Sequence, residues 1–381
     1  MGDRALTRIR LGQVGGGEGA FIGAVHRIAS RIDDRFELVA GCFASTPERS
    51  RASARTLGVA DDRAYGDYRE MAEREANRTD GIEAVSIVTP NHLHYPVARE
   101  FLARGIHVIC DKPLTSTLDD ARRLHGVART AEEERGARFV VTYNYSGYPL
   151  VRHAREMVAA GELGELRVVQ VEYAQDWLAR DVENEGLKQA GWRTDPKRAG
   201  GGGSIGDIGT HAFHLAGFVA GEQPERLAAE LSTFVEGRRL DDDAQIRLRY
   251  ASGMRGSLWC SQVAVGHENG LRLRLYGSGG GLEWSQESPN VMRHTPLGEP
   301  PRLLTRGGAG LGPGAEAVTR IPAGHPEGYL EGFATIYREA ADLFQGGDAP
   351  HLPGIEDGLR GVAFVDAALR SRDADGGWVS L

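Results

Sequence analysis

The sequence predicts an α/β protein. A doubly wound parallel sheet comes first, and a second domain built on antiparallel strands follows. Three observations carry this. The first part of the chain alternates strand-like and helix-like segments, which calls for right-handed crossovers and helices on both faces of a parallel sheet. After about residue 150 the pattern changes to alternating runs such as "DAQIRLRYASG", the signature of half-exposed antiparallel strands. At 381 residues the chain exceeds what one hydrophobic core usually serves. The boundary is set at 145, giving domains 1–145 and 146–381.

In the first domain "RIRLGQVG" reads as a strand entering a glycine turn, and "AFIGAVHRIASRI" has helical spacing. "FELVAGCF" is the second strand, and "TPERSRASARTLG" is a polar-faced helix ending at Gly58. "IEAVSIVTP" is a buried strand stopped by Pro90, "YPVAREFLARG" a helix closed by Gly105, and "IHVICDKP" the next strand. "TLDDARRLHGVARTAEEERG" is a helix with Thr117 as N-cap and Gly136 at its end. "RFVVTYNY" is one more strand. Beyond it come a helix, "PLVRHAREMVAAGELG", a strand, "ELRVVQVEYAQ", and an irregular stretch to residue 203. A helix and five strand-like runs follow. Residues 297–322, rich in Gly and Pro, read as a loop, and two helices close the chain.

Composition excludes several classes. Hydrophobic residues make up 41% and charged residues 26%, ordinary for a globular protein, and the net charge of −8 without a basic block gives no nucleic-acid footprint. Cys42, Cys110 and Cys260 lie far apart without metal or disulfide spacing, so buried, reduced thiols are expected. The N-terminus has no apolar signal core and no window is long enough to span a membrane. A cytoplasmic protein is expected.

Chemistry collects at strand ends. "VGGGEGAFIG" lies where a strand hands over to a helix, where glycines let backbone N–H groups approach a pyrophosphate. Gly15 and Gly17 lead the turn. The third position falls on Ala20, or on Gly23 if the turn is lengthened. The acid that binds the ribose 2′-OH of NAD is missing from the end of the second strand, where "CFASTPERS" offers Ser45, Thr46 and Arg49 instead. NADP is therefore allowed beside NAD, although the hydroxyls serve NAD equally and Arg49 also reads as a solvated helix residue. "VTPNHLHYP" places Thr89, Pro90, Asn91 and His94 at a strand's carboxyl end, with turn chemistry and capping as the plainer reading of Asn91 and His94. "CDKPL" does the same for Asp111 and Lys112. In "GDIGTHAFHLAG", Asp207, His211 and His214 are spaced to crowd one side of a helix.

Together these residues resemble the Gfo/Idh/MocA family of NAD(P)-dependent oxidoreductases. The matching pieces are "VGGG", "TPNHLH", "DKPL" for the family's E-K-P, "AGELGEL", "GGGSIGDIGTHAFH", "EGYLEGF" and "IEDGLRG". The resemblance spans nearly the whole chain. It implies an N-terminal Rossmann domain and a C-terminal α/β domain with a large, open, mostly antiparallel sheet that makes subunit contacts, hence a homo-oligomer, dimer or tetramer. It implies hydride transfer between a nicotinamide and a secondary alcohol carbon of a sugar, polyol or glycoside. Lys112 matches the family's lysine near the reacting oxygen, and Asp207 and His211 match its acid and histidine at the substrate. The departures are a longer glycine turn before His26, Asp111 for Glu, and His214 where many relatives carry Asp.

The chemistry of the residues agrees. Alcohol oxidation needs a group that removes the hydroxyl proton, and histidine titrates near neutrality. His211 is the expected base, Lys112 its electrostatic partner, and Asp207 orients the imidazole or binds a hydroxyl while capping its helix. Trp192 and Arg193 of "WRTDP" are read as substrate contacts, or as a core Trp and a surface Arg. No metal is expected, because a lysine cation beside the oxygen makes a divalent ion redundant. Two alternatives remain: a redox-neutral glycosidase that uses bound NAD transiently, and a non-catalytic dinucleotide- and sugar-binding sensor.

Overall fold

A five-stranded parallel sheet fills the first unit of the computed structural model, which describes residues 7–186 and 188–381. β1 (Ile9–Gly15), β2 (Phe36–Cys42), β3 (Ala84–Val88), β4 (His107–Cys110) and β5 (Phe139–Val141) run in the order β2-β1-β3-β4-β5. β3 is buried along its whole length, as a central parallel strand covered on both faces must be. The connecting helices are α1 (Phe21–Ile32), α2 (Pro47–Thr56), α3 (Tyr68–Ala76), α4 (His94–Leu102) and α5 (Leu118–Arg135). Thr117 caps α5 by accepting from the Asp120 N–H at 3.2 Å, and Gly136 ends it at φ +70°.

The sequence reading missed α3. Its segment is polar, and its inward face includes Glu75, which hides the amphipathic stripe. Glu75 is buried because Arg63 donates to both carboxylate oxygens and the Tyr65 hydroxyl donates at 2.7 Å. A buried acid with a full set of donors behaves as a core residue.

The second unit holds a nine-stranded sheet among the described residues. Its elements begin with α6 (Pro149–Ala159), β6 (Leu166–Ala174), α7 (Lys188–Arg193), α8 (Pro196–Ala199) and α9 (Thr210–Ala220). The strands β7 (Arg226–Ser232), β8 (Asp243–Arg249), β9 (Arg255–Ser261), β10 (Gly270–Gly277), β11 (Gly280–Ser285), β12 (Val291–Pro296) and β13 (Arg302–Thr305) follow. After α10 (Pro313–Val318), α11 (Tyr329–Phe344) and α12 (Ile355–Asp373), the chain closes with β14 (Val379–Ser380). The order is β13-β12-β11-β10-β6-β9-β8-β7-β14, and β6 with β9 is the parallel pair in an otherwise antiparallel sheet. The stretch 297–322, read as loop from its glycines and prolines, contains β13 and α10. Both are short, and β13 is mostly exposed, so neither leaves an apolar pattern.

The first unit runs through Asn144 and takes back Leu330–Leu359; the second runs from Tyr145 to Tyr329 and resumes at Arg360. The domain reading 1–145 and 146–381 had no signal for that return. Its cause is packing: Tyr337 of α11 meets Phe36 edge-on at 5.4 Å, and Phe333 packs on His26 at 5.1 Å. The cysteines are free and buried. Among the described residues no helix is long and apolar enough to cross a membrane.

Candidate active site

The parallel register puts five strand ends along one edge of the first sheet. Val14 pairs with Cys42, Gly15 with Val88, Ile87 with Cys110, and Cys110 with Val141. The residues that follow each strand therefore share the carboxyl edge, and the order reverses between β1 and β3, where open α/β sheets bind ligands.

The glycine turn shows why it is glycine. Gly15 sits at φ +83°, and a Cβ there would come within 2.8 Å of the Val88 carbonyl oxygen. A Cβ on Gly23 would overlap the Gly16 backbone. The third role, close packing of helix on turn, thus falls to Gly23, and Ala20 is the residue before α1. The turn is lengthened, with Gly17 N–H bound to the Phe43 carbonyl at 3.0 Å and Glu18 N–H to Ser53 Oγ at 3.2 Å. Ser45, Thr46 and Arg49 are exposed at the end of β2 and the start of α2. The cradle fits a dinucleotide: the Thr89 hydroxyl and both side-chain amide atoms of Asn144 are buried without a hydrogen-bond partner, at the ends of β3 and β5. Asn144 and Thr142 were missed because "RFVVTYNY" was read as strand alone. The strand-end rule applied to Thr89 and Asp111 would have found them.

His94 is corrected from a cofactor contact to an internal clamp. It is fully buried, with Nδ1 2.9 Å from the Pro113 carbonyl and Nε2 2.9 Å from the Thr89 carbonyl, tying two strand-end loops together. Burial lowers its pKa, so the neutral ring donates to one carbonyl at a time. Asn91 is buried in the turn that follows Pro90. Asp111 accepts from the Lys112 N–H at 2.9 Å and from the Thr142 hydroxyl at 3.0 Å. Burial alone would raise the Asp111 carboxyl, but the facing His26 ring and the Lys112 ammonium outweigh it and hold it below the usual range.

In the second unit the Asp207 segment is not a capped α-helical start. Ile205–Gly209 is a π-turn that leads into α9, a form common at functional sites. The cap comes from Asp241, which the sequence reading did not single out. Its carboxylate accepts from Gly203 N–H at 2.6 Å, Ser204 Oγ at 2.7 Å and Ile205 N–H at 2.8 Å. Burial still pushes the Asp241 carboxyl up. Asp207 Oδ2 accepts from Gln262 Nε2 at 2.9 Å and lies 3.3 Å from Arg193 Nε. The Arg193 guanidinium sits over the Trp192 ring at 4.3 Å and near Trp177 at 5.9 Å.

His211 is buried between aromatic rings, edge-on to Tyr145 at 4.9 Å and tilted against Tyr173 at 6.2 Å. The two phenols meet oxygen to oxygen at 2.5 Å, and Tyr173 donates to Asn269 Oδ1 at 2.7 Å. Burial pushes both phenols up, so they stay protonated. His214 stacks on Phe218 at 5.9 Å instead. The structure thus joins Asp207, Arg193 and Trp192, surrounds His211 with tyrosines, and turns His214 to a different neighbour. Among the described residues no three His, Cys, Asp or Glu side chains are placed to hold a metal ion together.

Known proteins match at every level. The description "Oxidoreductase family, NAD-binding Rossmann fold" fits residues 9–143, and "GFO/IDH/MocA C-terminal domain" fits residues 151–283. An oxidoreductase from Sinorhizobium meliloti is 56% identical, with 98% of this chain and 99% of that one covered and a TM-score of 0.89. An inositol dehydrogenase homolog from Azotobacter vinelandii, solved with NADH and myo-inositol, is 37% identical with 98% of each chain covered and a TM-score of 0.90. A levoglucosan dehydrogenase from Pseudarthrobacter phenanthrenivorans is 27% identical over 99% of both chains. With both family domains matched along its length and a 56% identical oxidoreductase sharing its fold, the chain belongs to the Gfo/Idh/MocA family of oxidoreductases, whose first domain is the NAD-binding Rossmann fold.

Proposed function

We propose that this oxidoreductase is a dehydrogenase of a secondary alcohol carbon in a sugar, polyol or glycoside, with His211 as general base and Lys112 as electrostatic partner. The observation that carries the reading is the seat of His211: a buried imidazole walled by tyrosines, four residues after a carboxylate that is already held by other donors. Gly15, Gly17, Gly23, Thr89, Pro90, Asn91, Asp111 and Lys112 would hold or frame the dinucleotide. When bound, its nicotinamide supplies the hydride acceptor. His211 takes the hydroxyl proton as the carbon is oxidised, and the Lys112 ammonium stabilises charge on the oxygen. Asp207, fixed by Gln262 and Arg193, accepts from substrate hydroxyls, and Trp192 offers an apolar face to the ring. The relatives' binding of myo-inositol and levoglucosan supports a compact, hydroxyl-rich ring as substrate.

The family's NAD complexes support NAD as cofactor. No carboxylate stands at the end of β2 itself, where Ser45 and Thr46 lead to Glu48 and Arg49 in the first turn of α2, so NADP is accepted as well. A cofactor-coupled absorbance screen of inositols, free sugars and glycosides with both cofactors tests the whole reading. Net reduced cofactor should form with at least one of these alcohols, and kcat/KM with NADP should lie within about tenfold of that with NAD. Turnover of a glycoside without net reduced cofactor contradicts it.

Self-association through the second unit's sheet belongs to the same proposal. β8 alternates buried and exposed residues, and α9 packs against β6, β9 and β10 on the buried side. The other face carries a depression of about 640 Å³ lined by Glu172, Arg247, Trp259 and Arg274. Arg274 is paired with Glu172 there at 2.8 Å, which lowers the cost of covering that charge with a second copy. Sedimentation should give a dimer or tetramer at micromolar concentration; a monomer counts against this.

A further inference from the structure

Behind Asp111 lies a buried chain of side chains that the proposed reaction does not use. His26, on α1, is 1% exposed. Its Nδ1 is 2.9 Å from the Tyr337 hydroxyl of α11 and 3.2 Å from Ser86 Oγ of β3. The two hydroxyls are themselves 3.0 Å apart, so two hydroxyls face Nδ1 and one of them can donate to it. An imidazole whose Nδ1 accepts carries a proton on Nε2. That nitrogen makes no hydrogen bond and faces Asp111 Oδ1 at 3.9 Å. The same carboxylate oxygen accepts from the backbone N–H of Lys112 and the hydroxyl of Thr142. Phe333 and Tyr337 hold the ring by its sides, at 5.1 and 5.8 Å between centroids.

We propose that His26 is a positioning residue for Lys112. Its Nε2–H attracts the Asp111 carboxylate and keeps it on the Lys112 N–H and the Thr142 hydroxyl, so the lysine leaves the end of β4 in one direction. Ser86 and Tyr337 set the tautomer that makes this possible. The inference rests on the reading that Lys112 serves the hydride transfer. Misplacement of a reacting group by about 1 Å costs on the order of 100-fold in rate, so a residue without contact to substrate can matter this much.

Two substitutions separate the faces of the ring. His26→Gln places an amide where Nε2 stands and keeps a donor toward Asp111. His26→Asn places it where Nδ1 stands, toward the hydroxyls. Each variant is measured for kcat and KM with a substrate found in the screen, for NADH affinity by tryptophan fluorescence, and for its thermal midpoint. His26→Asn should lose about 10- to 100-fold in kcat, with KM and NADH affinity within about threefold of the parent. His26→Gln should stay within about threefold in kcat. Equal kcat in the two variants, or losses that follow the thermal midpoint alone, overturn the proposal. Asp111→Asn removes the carboxylate without touching the core ring. It should reproduce the His26→Asn loss, and a parental kcat there also overturns the proposal. Lys112→Ala tells the two layers apart. If it keeps parental kcat, the functional reading falls and the positioning role with it. If it is inactive while the His26 variants are equal, only the positioning role falls.

Discussion

His211→Ala folds, binds cofactor as tightly as the parent, and loses about 10²- to 10⁴-fold in kcat. The fold survives because the neighbours of His211 do not depend on it. Tyr145 and Tyr173 hydrogen-bond each other and Asn269, and Asp241 caps the π-turn from outside the helix. Cofactor affinity survives because the proposed cradle is built from the ends of β1, β3, β4 and β5 and not from His211. In the proposed mechanism the chemical step is what suffers: without the imidazole, no group takes the hydroxyl proton as the carbon is oxidised. His214→Ala is the internal control. It loses a stack on Phe218, so any change falls on KM and kcat stays within about threefold. Chelation with EDTA should leave the parent active, since in the proposed mechanism Lys112 supplies the positive charge at the oxygen. Near-parental kcat in His211→Ala, or activity lost on chelation and restored by zinc, reassigns the base.

Gly23→Ala raises the Kd for NADH by at least tenfold, whereas Ala20→Gly changes it by less than about threefold. A Cβ on Gly23 meets the backbone of Gly16 and not the tip of a flexible side chain, so no rotamer relieves it. Either α1 or the glycine turn must move. Overpacking of this kind costs about 1–3 kcal/mol, and here it falls on the loop that cradles the pyrophosphate. Ala20 precedes α1 and makes no side-chain cap hydrogen bond, so losing its methyl removes no hydrogen bond from the turn. Fluorescence titration, with circular dichroism to show that Gly23→Ala is folded, reads both. Parental affinity in a folded Gly23→Ala protein returns the third-glycine role to Ala20.

The strands and their ends were readable because local pattern encodes them. A run such as "IEAVSIVTP" is apolar throughout because β3 is covered on both faces, and a proline stops it where the carboxyl edge begins. The same logic placed Thr89, Asp111 and Lys112 at that edge. It passed over Asn144 and Thr142 only because the run containing them was not cut at its last buried strand residue. Spacing also brought Asp207 and His211 to one short segment, since four residues along a chain stay close in any helical turn.

What spacing leaves open is who else arrives. Glu75 looks like a surface acid until Arg63 and Tyr65 reach it from another loop, and so α3 went unseen. Asp207 looks like the cap until Asp241, 34 residues on in the chain, accepts from the turn's N–H groups, while Gln262 and Arg193 reach Asp207. His94 looks like a ligand contact until both its nitrogens meet carbonyls from different strand ends. Tyr337 comes from 311 residues beyond His26. In each case the side chain's own neighbours along the chain set its backbone, while its chemical role was set by donors and acceptors supplied from remote segments. Burial forces such groups to be satisfied, and the chain must fold before it is known which remote group does so.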